Sequence, residues 1–164
     1  MKNIQKIALL IACCLTTITP NLGFADESNT KLLFEQTCYQ LVKEDWLSED
    51  FTIMEYSENK QFDAKYEARG DNVYFNLVVN ENNEPERFAF QLKPDEPLEN
   101  QINTIFHALF FDMEDQSEFV DSLVESYTAS MTLNKQNPQN PYAQKWYNQQ
   151  RCELDTGWLY IWQQ

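Results

Sequence analysis

The sequence predicts an α+β fold: an N-terminal helix, an antiparallel three- to four-stranded meander, two to three helices, and a C-terminal strand that joins the sheet. Three observations carry this expectation. Apolar residues recur at helical spacing over 30–47, at a period of two between 51 and 92, and at helical spacing again between 95 and 131.

Before the first helix, Lys2 and Lys6 precede an apolar run from Ile7 to Leu15, and Gly23-Phe24-Ala25 places small residues where signal peptidase reads. Residues 1–25 are therefore expected to be a cleavable signal peptide, leaving 26–164 as a single α+β domain in the periplasm or outside the cell. The run is far short of the roughly 20 residues that a spanning helix needs, so no transmembrane anchor is expected. Leu10-Ile11-Ala12-Cys13 also matches a lipobox, and a lipoprotein acylated at Cys13 is the alternative.

In the first helix Phe34, Cys38, Leu41 and Val42 share one face. Phe51 to Tyr56 reads as a strand, and Phe62, Ala64, Tyr66 and Ala68 alternate with Asp63, Lys65 and Glu67. Gly70-Asp71-Asn72 supplies a turn before Val73, Phe75, Leu77 and Val79 alternate, and Phe88, Phe90 and Leu92 do so again. Asp95 and Pro97 open a helix with the stripe Leu98, Ile102, Ile105, Phe106 and Leu109. Asp115 and Glu118 resemble a cap for the next, with Phe119, Val120, Leu123, Val124, Tyr127 and Met131. Asn140-Pro141 reads as the cap of a short helix reaching Tyr147, and Trp158 to Trp162, apolar on both faces, as the last strand.

Processing would remove Cys13 and Cys14, so Cys38 and Cys152 remain and are expected to form one disulfide in an oxidising compartment. Closing so long a loop is worth about 4–5 kcal/mol in the chain-entropy account. Charge is the second bound. The chain has 26 acidic and 12 basic residues; without its first 25 it keeps 26 against 10, a formal −16. That field repels nucleic acid and anionic lipid and favours a cationic partner. Aromatics at 14% oppose disorder.

Catalytic signatures are weak. Cys38 with His107 would supply a nucleophile and base, but Cys38 sits mid-helix on an apolar stripe rather than at an electropositive helix start. His107, the one histidine, could join Asp112, Glu114 or Asp115 around a metal, yet no second histidine or cysteine has ligand spacing, and a partly buried helix histidine is the simpler expectation. The Asp112–Glu118 acids and Asn80, Asn82 and Glu84 raise calcium without an EF-hand's glycine and glutamate. No catalytic residue, metal or cofactor is assigned.

Two features remain. Between Lys93 and Lys135 there are nine acids and no Lys or Arg, which makes Asp112, Glu114, Asp115 and Glu118 the expected contact with a basic protein partner, such as a secreted toxin or hydrolase. The C-terminal aromatics Tyr142, Trp146, Tyr147, Trp158, Tyr160 and Trp162 read first as core and second as an interface or pocket lining. The sequence thus points to a non-enzymatic periplasmic binding protein of inhibitor or immunity type, with a small-molecule or envelope-component binder as the alternative.

Overall fold

Among the described residues the sheet has seven strands, where a three- to four-stranded meander joined by one C-terminal strand was expected. In the computed structural model, residues 27–60, 64–71, 73–109, 115–133, 141–147 and 149–163 are described. Helix α1 (Glu27–Lys43) leads into a meander of β1 (Thr52–Lys60), β2 (Ala64–Gly70), β3 (Val73–Val79) and β4 (Pro85–Gln91). Helices α2 (Leu98–Ala108) and α3 (Gln116–Leu133) follow. A second meander of β5 (Tyr142–Tyr147), β6 (Gln150–Asp155) and β7 (Trp158–Trp162) closes the chain. Every pairing is antiparallel, and β7 docks against β4, giving the order β1-β2-β3-β4-β7-β6-β5. The fold class stands as α+β, with three strands at the C-terminus where one was expected. The short helix expected to reach Tyr147 is replaced by β5.

The reason lies in the alternation of β5 and β6, which is short and half polar. Ala143, Cys152 and Leu154 are buried, but their neighbours include Gln144, Arg151 and Glu153. Thr156 and Gly157, at φ 43° and 83°, make the tight two-residue connection from β6 to β7. Between β3 and β4 the Asn80 side-chain oxygen accepts from the backbone N–H of Asn82 (2.9 Å) and Glu84 (3.0 Å) while Asn83 turns left-handed at φ 59°. Turn geometry thus accounts for the polar spacing that suggested calcium.

One face of the sheet meets all three helices. Phe75 is its centre, stacked at 4.7 Å on Phe34 of α1 and at 4.6 Å on Phe90 of β4, with Tyr66 and Phe88 beside it. Tyr66, Leu77, Phe88, Ile161 and Cys152 form one cross-strand row of this buried face. Helix α1 ends in a Schellman motif: Asp45 is left-handed at φ 57°, and the N–H of Trp46 donates to the Leu41 carbonyl at 2.9 Å. That stop places the Trp46 ring edge-on to Phe90. Buried Gln101 of α2 clamps the loop before it, accepting from the Lys93 N–H and donating to the Lys93 and Glu96 carbonyls.

Cys38 and Cys152 are both buried, and both are free thiols. Helix α1 packs on β2 and β3 through Phe34, and Cys152 lies on β6.

Candidate functional site

The other face of the sheet carries no described helix, and strand alternation decides what stands on it. Because Phe88 and Phe90 of β4 point to the core, Arg87, Ala89 and Gln91 point away. The same parity puts Arg69 of β2, Tyr74 and Asn76 of β3, Arg151 and Glu153 of β6, and Trp158, Tyr160 and Trp162 of β7 on the outer face. All three arginines of the chain and three of its four tryptophans collect there. The aromatics expected in the core are therefore mostly on the open side. Trp158, Tyr160 and Trp162 are half-buried, and Tyr142 and Trp146 are exposed by 45% and 53%.

Register orders these side chains into rows. Trp146, Arg151, Trp162 and Arg87 are successive cross-strand neighbours over β5, β6, β7 and β4. The guanidinium carbons of Arg151 and Arg87 lie 4.3 and 5.1 Å from the Trp162 ring centre, and Arg87 is also 5.5 Å from Tyr160. An ion pair from Arg151 Nε to Glu153 at 2.8 Å holds one member of this row. At the far end Arg69 lies 5.3 Å over Tyr74, whose ring meets Trp158 edge-on at 5.5 Å. A groove of about 850 Å³ opens beside Arg69 and Tyr74 towards Lys93.

A buried carboxylate forms the floor. The Glu67 side chain is 4% exposed and accepts from Tyr56 (3.0 Å), Arg69 (3.2 Å) and the Tyr74 hydroxyl. Beside it Asn76 is buried with its side-chain oxygen unpartnered. Burial, and after it the bond to Glu67, pushes Tyr74 up to about 12. Burial likewise pushes the Cys38 and Cys152 thiols up to about 12. These shifts run away from neutrality, opposite to what a general base or thiolate nucleophile needs.

Of the acids expected at a partner contact, Asp112 and Glu114 lie outside the described residues, as do residues 1–25 with Cys13. Asp115 and Glu118 are exposed at the start of α3. Asp121 and Glu125 continue an exposed stripe along that helix, on the side of the sheet opposite the arginines. His107 is exposed on α2 rather than partly buried. Among the described residues no group of three or more His, Cys, Asp or Glu could hold a metal, and no helix is long and apolar enough to cross a membrane. No family model matches the chain, and neither the curated proteins nor the solved structures include a significant match to it.

Proposed function

We propose that the chain is an exported, non-enzymatic binding protein and that it grips a protein partner with the helix-free face of its sheet. One observation carries this reading: the tryptophans, tyrosines and arginines of that face are only half-buried, although the core on the other side is complete without them. Trp, Tyr and Arg are the residue types that dominate binding hot spots, because each combines large apolar area with directed hydrogen bonds. Export rests on Lys2, Lys6, the apolar run and Gly23-Phe24-Ala25. An inhibitor or immunity role is the format that a small acidic exported chain suits.

A second reading has its own support. Glu118, Asp121 and Glu125 are all exposed at helical spacing, and α2 and α3 contain no Lys or Arg, so the helical layer could receive a basic partner. Affinity capture from envelope extracts separates the two. The sheet reading expects a partner that is retained by the wild type and by Glu118→Lys/Asp121→Lys but lost by Tyr142→Ala/Trp146→Ala. Retention by the sheet variant with loss by the helix variant would reverse the assignment.

A further inference from the structure

We infer that the chain forms a twofold dimer in which β5 pairs antiparallel with β5 of a second copy. The inference goes beyond the proposed partner binding and does not depend on it. Among the described residues β1 and β5 are the two edges of the sheet. β1 shifts register against β2 between Glu55 and Lys60, the kind of irregularity that turns an edge away from further pairing. β5, in contrast, keeps continuous register with β6 from Tyr142 to Tyr147. The tight connection from Tyr147 to Gln150 makes those two a hydrogen-bonded pair. Tyr147, Lys145 and Ala143 therefore spend their backbone groups on β6, while Trp146, Gln144 and Tyr142 turn theirs outward. The Tyr142 N–H accordingly donates to the Ser130 hydroxyl of α3 at 3.0 Å.

The sequence of this edge is complementary to itself. Paired strands must match faces, and among the registers that do, a twofold centred on Gln144 aligns the most outward backbone groups. Gln144 then exchanges both backbone bonds with Gln144 of the second copy, and the Trp146 N–H donates to the Tyr142 carbonyl of the second copy. On the outer face Tyr142 and Trp146, both exposed, become cross-strand aromatic pairs. On the inner face Lys145 stands opposite buried Ala143, so the two lysines do not meet. A twofold centred on Lys145 would oppose them directly. Lys145 is an inward charge of the kind that guards an edge, but its ammonium turns back to the Ser122 hydroxyl of α3. Charge selects the same edge. Two copies at −14 repel, yet between Glu125 and Glu153 the chain has no acid and holds Lys135, Lys145 and Arg151. No longer acid-free stretch occurs after residue 25. One strand further in, Glu153 is paired with Arg151 and Asp155 accepts from Thr156. The twofold stands perpendicular to the sheet, so both outer faces lie on one side of it. A partner of that face would meet two copies of it.

Sedimentation equilibrium of the purified protein, with no partner added, reads the association. A monomer–dimer equilibrium in the micromolar range is expected, tightening as salt rises from about 0.05 to 0.5 M and screens the repulsion. Gln144 is exposed, so charges are tolerated there by the single copy. Gln144→Lys and Gln144→Glu each set like charges opposite one another at the axis and should weaken the dimer about fivefold. An equal mixture of the two should restore it, because Lys then faces Glu. Gln144→Pro, tolerated on an edge whose N–H faces outward, should weaken it by about tenfold or more. Circular dichroism verifies that each variant is folded. A monomer at every concentration up to about 100 μM, a dimer that loosens with salt, indifference to these substitutions, or a mixture no tighter than either variant alone overturns the inference. Any of those results leaves the partner-binding reading of the outer face untouched, since capture of a partner needs no second copy.

Discussion

Replacing Glu67 with glutamine tests how the floor of the aromatic face is held. In the native protein one carboxylate oxygen accepts from Tyr56 at 3.0 Å and Arg69 at 3.2 Å, and the other accepts from Tyr74. Glutamine keeps an oxygen for Tyr74 but turns an NH2 group towards two donors. Hydrogen bonds to a charged group are worth about 1.5–3 kcal/mol each when desolvated. Tyr56 and Arg69 are partly exposed and regain water, so the low end applies to each bond: about 3 kcal/mol for the pair. For a domain of this size that lowers Tm by roughly 6–12 °C. The second readout is Tyr74. Burial, the larger cause of its position near 12, persists in the variant, while the charge of Glu67 is lost and its hydrogen bond passes to a neutral amide oxygen. Its tyrosinate absorbance should therefore rise at lower pH than in the wild type, though still above the ordinary value of 10. A melting temperature within about 2 °C of wild type and an unchanged alkaline titration would refute the network as a structural element.

Two further outcomes follow from the core. Phe75→Ala removes a fully buried ring stacked between Phe34 and Phe90, and should cost about 3–5 kcal/mol in urea unfolding; a loss below about 1 kcal/mol would show that the helix–sheet packing is not as described. The thiols of Cys38 and Cys152 are raised from 9.0 to about 12, so the folded state favours the neutral form. The stability they contribute is complete below about pH 9 and is lost as pH rises through 12, at most about 4 kcal/mol per thiol. Cys38→Ala/Cys152→Ala should flatten that alkaline limb, Tyr74 titrating equally in both proteins. A thiol reagent near neutrality should leave Cys38 and Cys152 unmodified in the folded chain and label both after unfolding; labelling of either in the folded state, or of neither after unfolding, would contradict the burial or the free state.

Most of the helix-facing half of the fold is legible in the sequence. The stripes of α1, α2 and α3 and the period-two runs of β2 and β3 each bury large apolar side chains at regular intervals, and such intervals survive in a single sequence. The second meander does not announce itself. β5 and β6 contribute only Ala143, Cys152 and Leu154 as buried apolar side chains, too few for alternation to stand out. Their place in the sheet depends on β7 docking against β4, a pairing of residues some seventy positions apart that no local pattern encodes. Both cysteines face inwards, as the helical spacing of Cys38 predicts.

The outer aromatic face is hard to read from sequence because an apolar residue is read as buried. Trp158, Leu159, Tyr160, Ile161 and Trp162 read as a strand buried on both sides, yet its two faces differ in kind. The aliphatic pair, with no polar atom to satisfy, goes to the core, while the aromatics, each carrying an N–H or O–H, go to the open side. A central strand that alternates aliphatic with Trp and Tyr therefore has an aliphatic face in the core and a half-buried aromatic face on the other side. The strands flanking β7 bear this out in charge: Arg87 and Arg151 alternate with Phe88 and Cys152, which line its buried face. Guanidiniums that could extend into solvent instead lie against Trp162, and this arrangement restricts the motion of both partners before anything binds. The acidic helical layer and this ordered cationic row lie on opposite sides of one sheet, so the net charge of the chain does not describe the surface on which recognition is proposed.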